Sequence, residues 1–209
     1  MGVNARPVVA KIVAPVLGGL ARAGVTPDMV TIAGTVGAVT SAVVLIGNGV
    51  LWWGAVAVTA FVLLDMLDGA LARAHGGGSV FGAVLDSVGD RAADAAVFSA
   101  LVWWFSGDGD NRLLVLLALI CLVLGILTSY IKARAEGVGL SADVGIVERT
   151  ERLVLVLVGT GFTGLGVPFA LHVALWILLA TSAVTVGQRF FAVRRSAAGA
   201  PLPARPSTP

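Results

Sequence analysis

Apolar runs of near membrane-spanning length recur along almost the whole of this 209-residue chain, and that recurrence decides the class of fold before any single residue is considered. A helix needs about 20 apolar residues to cross a hydrocarbon layer about 30 Å thick. Six runs approach that length: Met29 to Ile46, Leu51 to Arg73, Leu85 to Phe105, Leu113 to Lys132, Glu148 to about Phe162, and Pro168 to about Gln188. Inside a bilayer every backbone N–H and C=O must be satisfied within the segment, so such runs fold as helices. The expectation is an all-α integral membrane protein with six transmembrane helices. Gly159, Gly161, Gly164 and Gly166 are expected to break the tail of the fifth.

Composition agrees: with 57% hydrophobic and 12% charged residues and a mean hydropathy of +0.96, the chain carries more apolar surface than a soluble domain of its length could bury. Ahead of the runs, residues 5–23 mix apolar positions with Arg6, Lys11 and Arg22 and are interrupted by Pro15. That pattern reads as an amphipathic helix lying in the interface rather than as a cleaved signal peptide. The membrane domain is thus expected over 1–195, with the Pro-, Ala- and Ser-rich stretch 196–209 as a disordered tail. Cys121 is the single cysteine, so neither an intramolecular disulfide nor a multi-cysteine metal site can form. Its mid-span position reads as inert packing.

Laid on six spans, the 14 basic residues fall on the amino-terminal face, with Arg112 alone opposite. By the positive-inside rule that face is cytoplasmic, with both termini inside and the protein in the plasma (inner) membrane. Trp52, Trp53, Trp103, Trp104 and Trp176 all fall toward the outer side, where amphipathic rings favour the interface. Asp108 and Asp110 then belong to a solvated outer loop.

Charge within a span costs several kcal/mol, about 2.5–3.5 per residue on insertion scales, so intramembrane carboxylates are functional candidates. Asp65 and Asp68 lie near the inner end of the second span, and Asp86, Asp90 and Asp94 at the inner end of the third. The i,i+3 pair Asp65/Asp68 and the i,i+4 pair Asp86/Asp90 each share one helix face. Two consecutive antiparallel helices can therefore aim four carboxylates at one point. Arg73 and Arg91 are too few to neutralise them, so a cation is required. Oxygen-only ligands select a hard divalent ion such as Mg2+, Mn2+ or Ca2+ over zinc. Asp94 either joins the cluster or only orients a neighbour. Gly69 and Ala72 clear space beside the carboxylates, and Gly76, Gly77 and Gly78 form a flexible inner hairpin. His75 and His172 lack ligand spacing and read as structural.

Written out, Asp65-x2-Asp68-Gly69-x2-Ala72-Arg73-x8-Gly82-x3-Asp86-x3-Asp90 matches at every defined position the signature of the CDP-alcohol phosphotransferases, which the chain resembles. The resemblance extends to about Arg195 and is nearest to the bacterial phosphatidylinositol phosphate synthases. It is carried by Val25 to Thr31 (VTPDMVT), Phe81 to Asp90 (FGAVLDSVGD), Ser129 to Glu136 (SYIKARAE) and Glu148 to Leu153 (ERTERL). It implies that Asp65, Asp68 and Asp86 hold metal, with Asp90 near the second of two ions (Mg2+, with Mn2+ an alternative) and serving as general base. It implies CDP-diacylglycerol contacts at Asp28, Thr31, Gly69, Arg73 and Ser79. It further implies an inositol phosphate site at Lys132, Arg134, Arg152 and Arg189 with Ser129, and a homodimer in the lipid membrane.

Residue chemistry alone also makes Lys132, Arg134, Arg152 and Arg189, which stand at inner helix ends, an anion site. Arg194 and Arg195 read as topological charge. No nucleic-acid partner is expected. Two other readings stay open on sequence: a phosphatidylglycerol phosphate synthase of the same family, and an ion-coupled transporter using the carboxylates as a relay.

Overall fold

The computed structural model describes residues 24–74 and 79–198, apart from the side chains of 66–74. The expected interfacial helix, glycine hairpin, His75 and carboxyl-terminal tail lie outside the described residues, as do the side chains of Asp68, Gly69, Ala72 and Arg73. Six helices make up the described chain: α1 (Pro27–Ser41), α2 (Leu51–Ala74), α3 (Val80–Ser106), α4 (Arg112–Glu136), α5 (Arg149–Gly164) and α6 (Ala170–Ala197). A π-helical turn, Ala42–Ile46, prolongs α1. There is no strand among the described residues.

Three of these elements are long and apolar enough to cross a membrane: Pro27–Ile46, Arg112–Glu136 and Ala170–Ala197. Of the other three, α2 is 24 residues long with Leu51–Asp65 as its described apolar stretch, α3 carries Asp86, Asp90, Arg91 and Asp94, and the 16 residues of α5 extend about 24 Å at 1.5 Å each. The outward surfaces suit lipid, with Ile32, Val36, Val123, Ile126, Val173 and Phe190 all exposed.

The chain divides into two compact units, residues 1–100 and 101–209. In the first, the start of α1 is fixed by sequence. Thr26 is extended and its hydroxyl accepts from Met29 N at 3.3 Å, Pro27 supplies a preset φ, and Asp28 in the first turn complements the helix dipole. The buried face of α1, Val30, Thr31, Gly34, Ala38 and Ser41, is mostly small, which lets α2 approach closely. A Cβ built on Gly34 would lie 3.0 Å from Asp65 Cβ and 3.2 Å from the Phe61 carbonyl, and one on Gly37 would overlap the Phe61 ring.

In the second unit α4 and α5 both pack on α6. Asn111 caps α4 by accepting from Leu114 N at 3.1 Å, and its amide nitrogen meets His172 Nε2 at 3.2 Å, giving that histidine a structural partner. Cys121 is fully buried, its sulfur 3.6 Å from the Leu175 carbonyl, in keeping with inert packing. The expectation that glycines break the fifth run is corrected. Gly159 and Gly161 lie inside α5, and a Cβ on Gly159 would meet Ala174 Cβ at 2.6 Å, so that glycine makes the α5–α6 contact. Only Gly166, at φ +84°, follows the helix as a terminator.

Candidate metal centre and anion cluster

Asp65 stands on α2 opposite Gly34 of α1, and Asp86 and Asp90 share one face of α3. One carboxylate oxygen from each of the three lies within 4.8 Å of the others. Oxygen ligands bound at about 2.1–2.5 Å sit about 4–5 Å apart across a hard divalent ion, so this donor set fits one. α1 also backs α3 directly: a Cβ on Gly89, between Asp86 and Asp90, would overlap the Thr35 hydroxyl. The same helix thus sets the position of both carboxylate-bearing helices.

Asp90 is partly buried, its side chain 16% exposed, with Arg91 Nη2 at 3.4 Å. Asp94, one turn further and 5% exposed, is not one of the three converging groups.

Asp28 and Ser79 meet at the first turn of α3. A Cβ on Gly82 would lie 3.1 Å from Asp28 Oδ1 and 3.0 Å from Ser79 Oγ, and Gly82 N donates to Ser79 Oγ at 2.7 Å. Ser79 therefore caps α3, and Gly82 keeps the approach to Asp28 open. Thr31 is buried and its hydroxyl donates to the Pro27 carbonyl at 3.2 Å.

The basic residues of the second unit have distinct surroundings. Arg152 is 2% exposed, and Gly125 of α4 makes room for it, since a Cβ there would sit 3.1 Å from the guanidinium carbon. Arg189 is 5% exposed; its Nε donates to the Val144 carbonyl at 2.9 Å and its Nη1 to the Thr128 carbonyl at 2.8 Å. It ties α4 and the 137–148 connector to α6. Lys132 Nζ donates to Asp143 Oδ1 at 2.6 Å. The Lys132 ammonium in turn holds the Asp143 carboxyl below its usual range, first by this hydrogen bond and then by charge. Ser129 donates to the Gly125 carbonyl at 3.1 Å, and Arg134 is exposed on the last turn of α4. Glu148 and Glu151 close a capping box, Glu148 N donating to Glu151 Oε2 at 3.0 Å.

Asp143, Gly34, Gly89 and Gly125 escaped the sequence reading. Gly34 carried a signal in the 3- and 4-residue spacing of Thr31, Gly34, Ala38 and Ser41. Asp143 carried none, being a lone acid in a connector without periodicity.

A helical membrane protein with three carboxylates gathered from consecutive helices has a donor set that could hold a hard cation. The chain belongs to the CDP-alcohol phosphatidyltransferase family, which it matches over residues 24–187. It is 54% identical over 200 residues to the phosphatidylinositol phosphate synthase of Mycolicibacterium smegmatis, covering 94% of this chain and 90% of that one. Its fold superposes with a TM-score of 0.88 on the crystal structure of Mycobacterium tuberculosis phosphatidylinositol phosphate synthase with CDP-DAG bound, at 47% identity over 93% of this chain and 100% of that chain. The manganese and citrate complex of the same relative also gives 0.88, at 46% identity over 94% and 96%.

Proposed function

We propose that this membrane enzyme is a phosphatidylinositol phosphate synthase, moving the phosphatidyl group of CDP-diacylglycerol onto a hydroxyl of inositol phosphate with release of CMP. The observation that carries the proposal is the convergence of Asp65, Asp86 and Asp90 within 4.8 Å, in a chain about half identical to synthases of that name.

Asp65, Asp68, Asp86 and Asp90 would hold two divalent ions, Mg2+ or Mn2+. Bound there, such ions neutralise the diphosphate and the charge that develops on departing CMP. Asp90 takes the proton of the attacking hydroxyl, a role suited to a carboxylate that is part-buried yet reachable. Asp28, Thr31, Gly69, Arg73 and Ser79 orient the CDP part of the donor; the open first turn of α3 beside Asp28 supports this. Lys132, Arg134, Arg152 and Arg189, with Ser129, form the cationic seat for the acceptor's phosphate. Of these, Arg189 already spends two donors on backbone carbonyls, so its part is to shape the seat and supply charge.

The location follows from the substrates, one anchored by acyl chains and the other soluble. We read all six helices as spans, with residues 5–23 as an interfacial helix, 1–195 as one membrane domain and 196–209 as a tail. The site then faces the cytoplasm at the inner membrane, and the working form is a homodimer. Purified protein in nanodiscs, given CDP-diacylglycerol and each acceptor in turn, tests the reading. CMP release is expected with inositol phosphate; release with glycerol 3-phosphate alone would overturn the choice of acceptor.

A further inference from the structure

Lys132 belongs to the proposed phosphate seat, yet it is already engaged. Its ammonium lies 2.6 Å from Asp143 Oδ1 and 4.0 Å from Glu136 Oε1. Asp143 is not carried by a helix; it sits in the connector between α4 and α5, whose backbone is fastened on both sides of it. Ala142 is buried at 1% exposure, and the Val144 carbonyl accepts from Arg189 Nε. Val147 N donates to Thr185 Oγ1 at 3.3 Å. Gly145, at φ +151°, runs so close to α6 that a Cβ would meet Thr185 Cγ2 at 2.6 Å. The backbone is fixed while the carboxylate stays accessible, with its side chain 70% exposed and that of Lys132 36% exposed.

A carboxylate oxygen on an ammonium makes the same charge-assisted contact that a phosphate oxygen would make. We propose that Asp143 tunes the affinity of the acceptor seat for phosphate by occupying Lys132 as a built-in anion, which an incoming phosphate must displace. The inference rests on the reading of Lys132 as a phosphate ligand. Asp143 stays ionised through the neutral range, because Lys132 holds its carboxyl below the ordinary value. A phosphomonoester brings up to two charges and three acceptor oxygens against its one charge. Exposed ion pairs are weak, so the displacement is easy, and Asp143 withholds only about two- to fivefold in affinity.

Inorganic phosphate binding to the full-length protein in nanodiscs tests this directly. Asp143→Asn is expected to bind phosphate about two- to fivefold more tightly than the unsubstituted chain. Lys132→Gln is expected to bind weakly, and adding Asp143→Asn to it should change nothing. Asp143→Ser gives a second reading should the asparagine variant fold poorly. Equal or weaker phosphate binding in the Asp143 variants, a gain that survives Lys132→Gln, or no phosphate binding by any form would overturn the proposal. Turnover is a separate measurement: no CMP release with inositol phosphate, alongside tighter phosphate binding in Asp143→Asn, would remove the acceptor and leave the role of Asp143 standing.

Discussion

Replacing Gly34 by alanine puts one methyl group between α1 and the backbone that carries Asp65. The added carbon would stand 3.0 Å from Asp65 Cβ, 3.3 Å from Asp65 Cα and 3.2 Å from the Phe61 carbonyl oxygen. Carbon atoms settle at about 3.5–4.0 Å, so α2 must retreat by a few tenths of an ångström. Asp86 and Asp90 sit on α3, which leans on α1 elsewhere, at Thr35 and Gly89, so the retreat is not shared by all three carboxylates. A reacting constellation must hold to about 0.5 Å, and a misplacement of about 1 Å can cost about 100-fold in rate. Gly34→Ala should therefore lower CMP release by about three- to tenfold and raise the Mn2+ concentration needed for half-maximal activity. Overpacking destabilises by about 1–3 kcal/mol, and the gain in helix propensity returns about 0.5–1, so the fold should survive. Gly187→Ala is the control: it gives the same propensity gain in α6, where an added Cβ meets nothing within 4 Å. Activity in Gly34→Ala within twofold of the control, with unchanged Mn2+ dependence, would refute the reasoning.

Three further outcomes are expected. Asp90→Asn should abolish turnover while thermal stability and nucleotide binding stay close to those of the parent, and full activity would remove its role as base. Gly125→Ala crowds the buried Arg152 guanidinium and should raise KM for the acceptor about three- to tenfold with KM for CDP-diacylglycerol unchanged, whereas a fall in Tm alone would make Arg152 purely structural. The depressed Asp143 carboxyl stabilises its pair with Lys132 above the ordinary aspartate range, and that contribution is lost only as pH falls through the lower folded value. The difference in phosphate affinity between the parent and Asp143→Asn should thus be constant from about pH 5 to 8, and a difference that closes within that window would contradict the assignment.

The helices and the convergence of Asp65, Asp86 and Asp90 were legible because their signals are local. Run lengths predicted six helices close to those observed, and the i,i+3 and i,i+4 spacing of aspartates predicted the face on which Asp86 and Asp90 meet Asp65. Glycines were misread for the same reason in reverse. Gly159 lowers helix propensity locally, yet α5 forms there because Ala174 of α6 fills the space a side chain would take. The state of the anion cluster was not legible either. That Lys132 faces Asp143, and that Arg189 grips Val144 and Thr128, depends on how the connector folds back on α6, and composition holds no record of that path.

α3 carries Asp86, Asp90, Arg91 and Asp94 close together, and each such residue opposes insertion by about 2.5–3.5 kcal/mol at the centre of a bilayer. Alone, it is a poor candidate for release from the translocon into lipid. α1 and α2, by contrast, approach closely through Gly34 and Gly37, where an added Cβ would meet Asp65 and Phe61. Insertion should therefore run in a fixed order, with the α1–α2 hairpin settled first and α3 joining once that hairpin gives its charged face a surface to pack on.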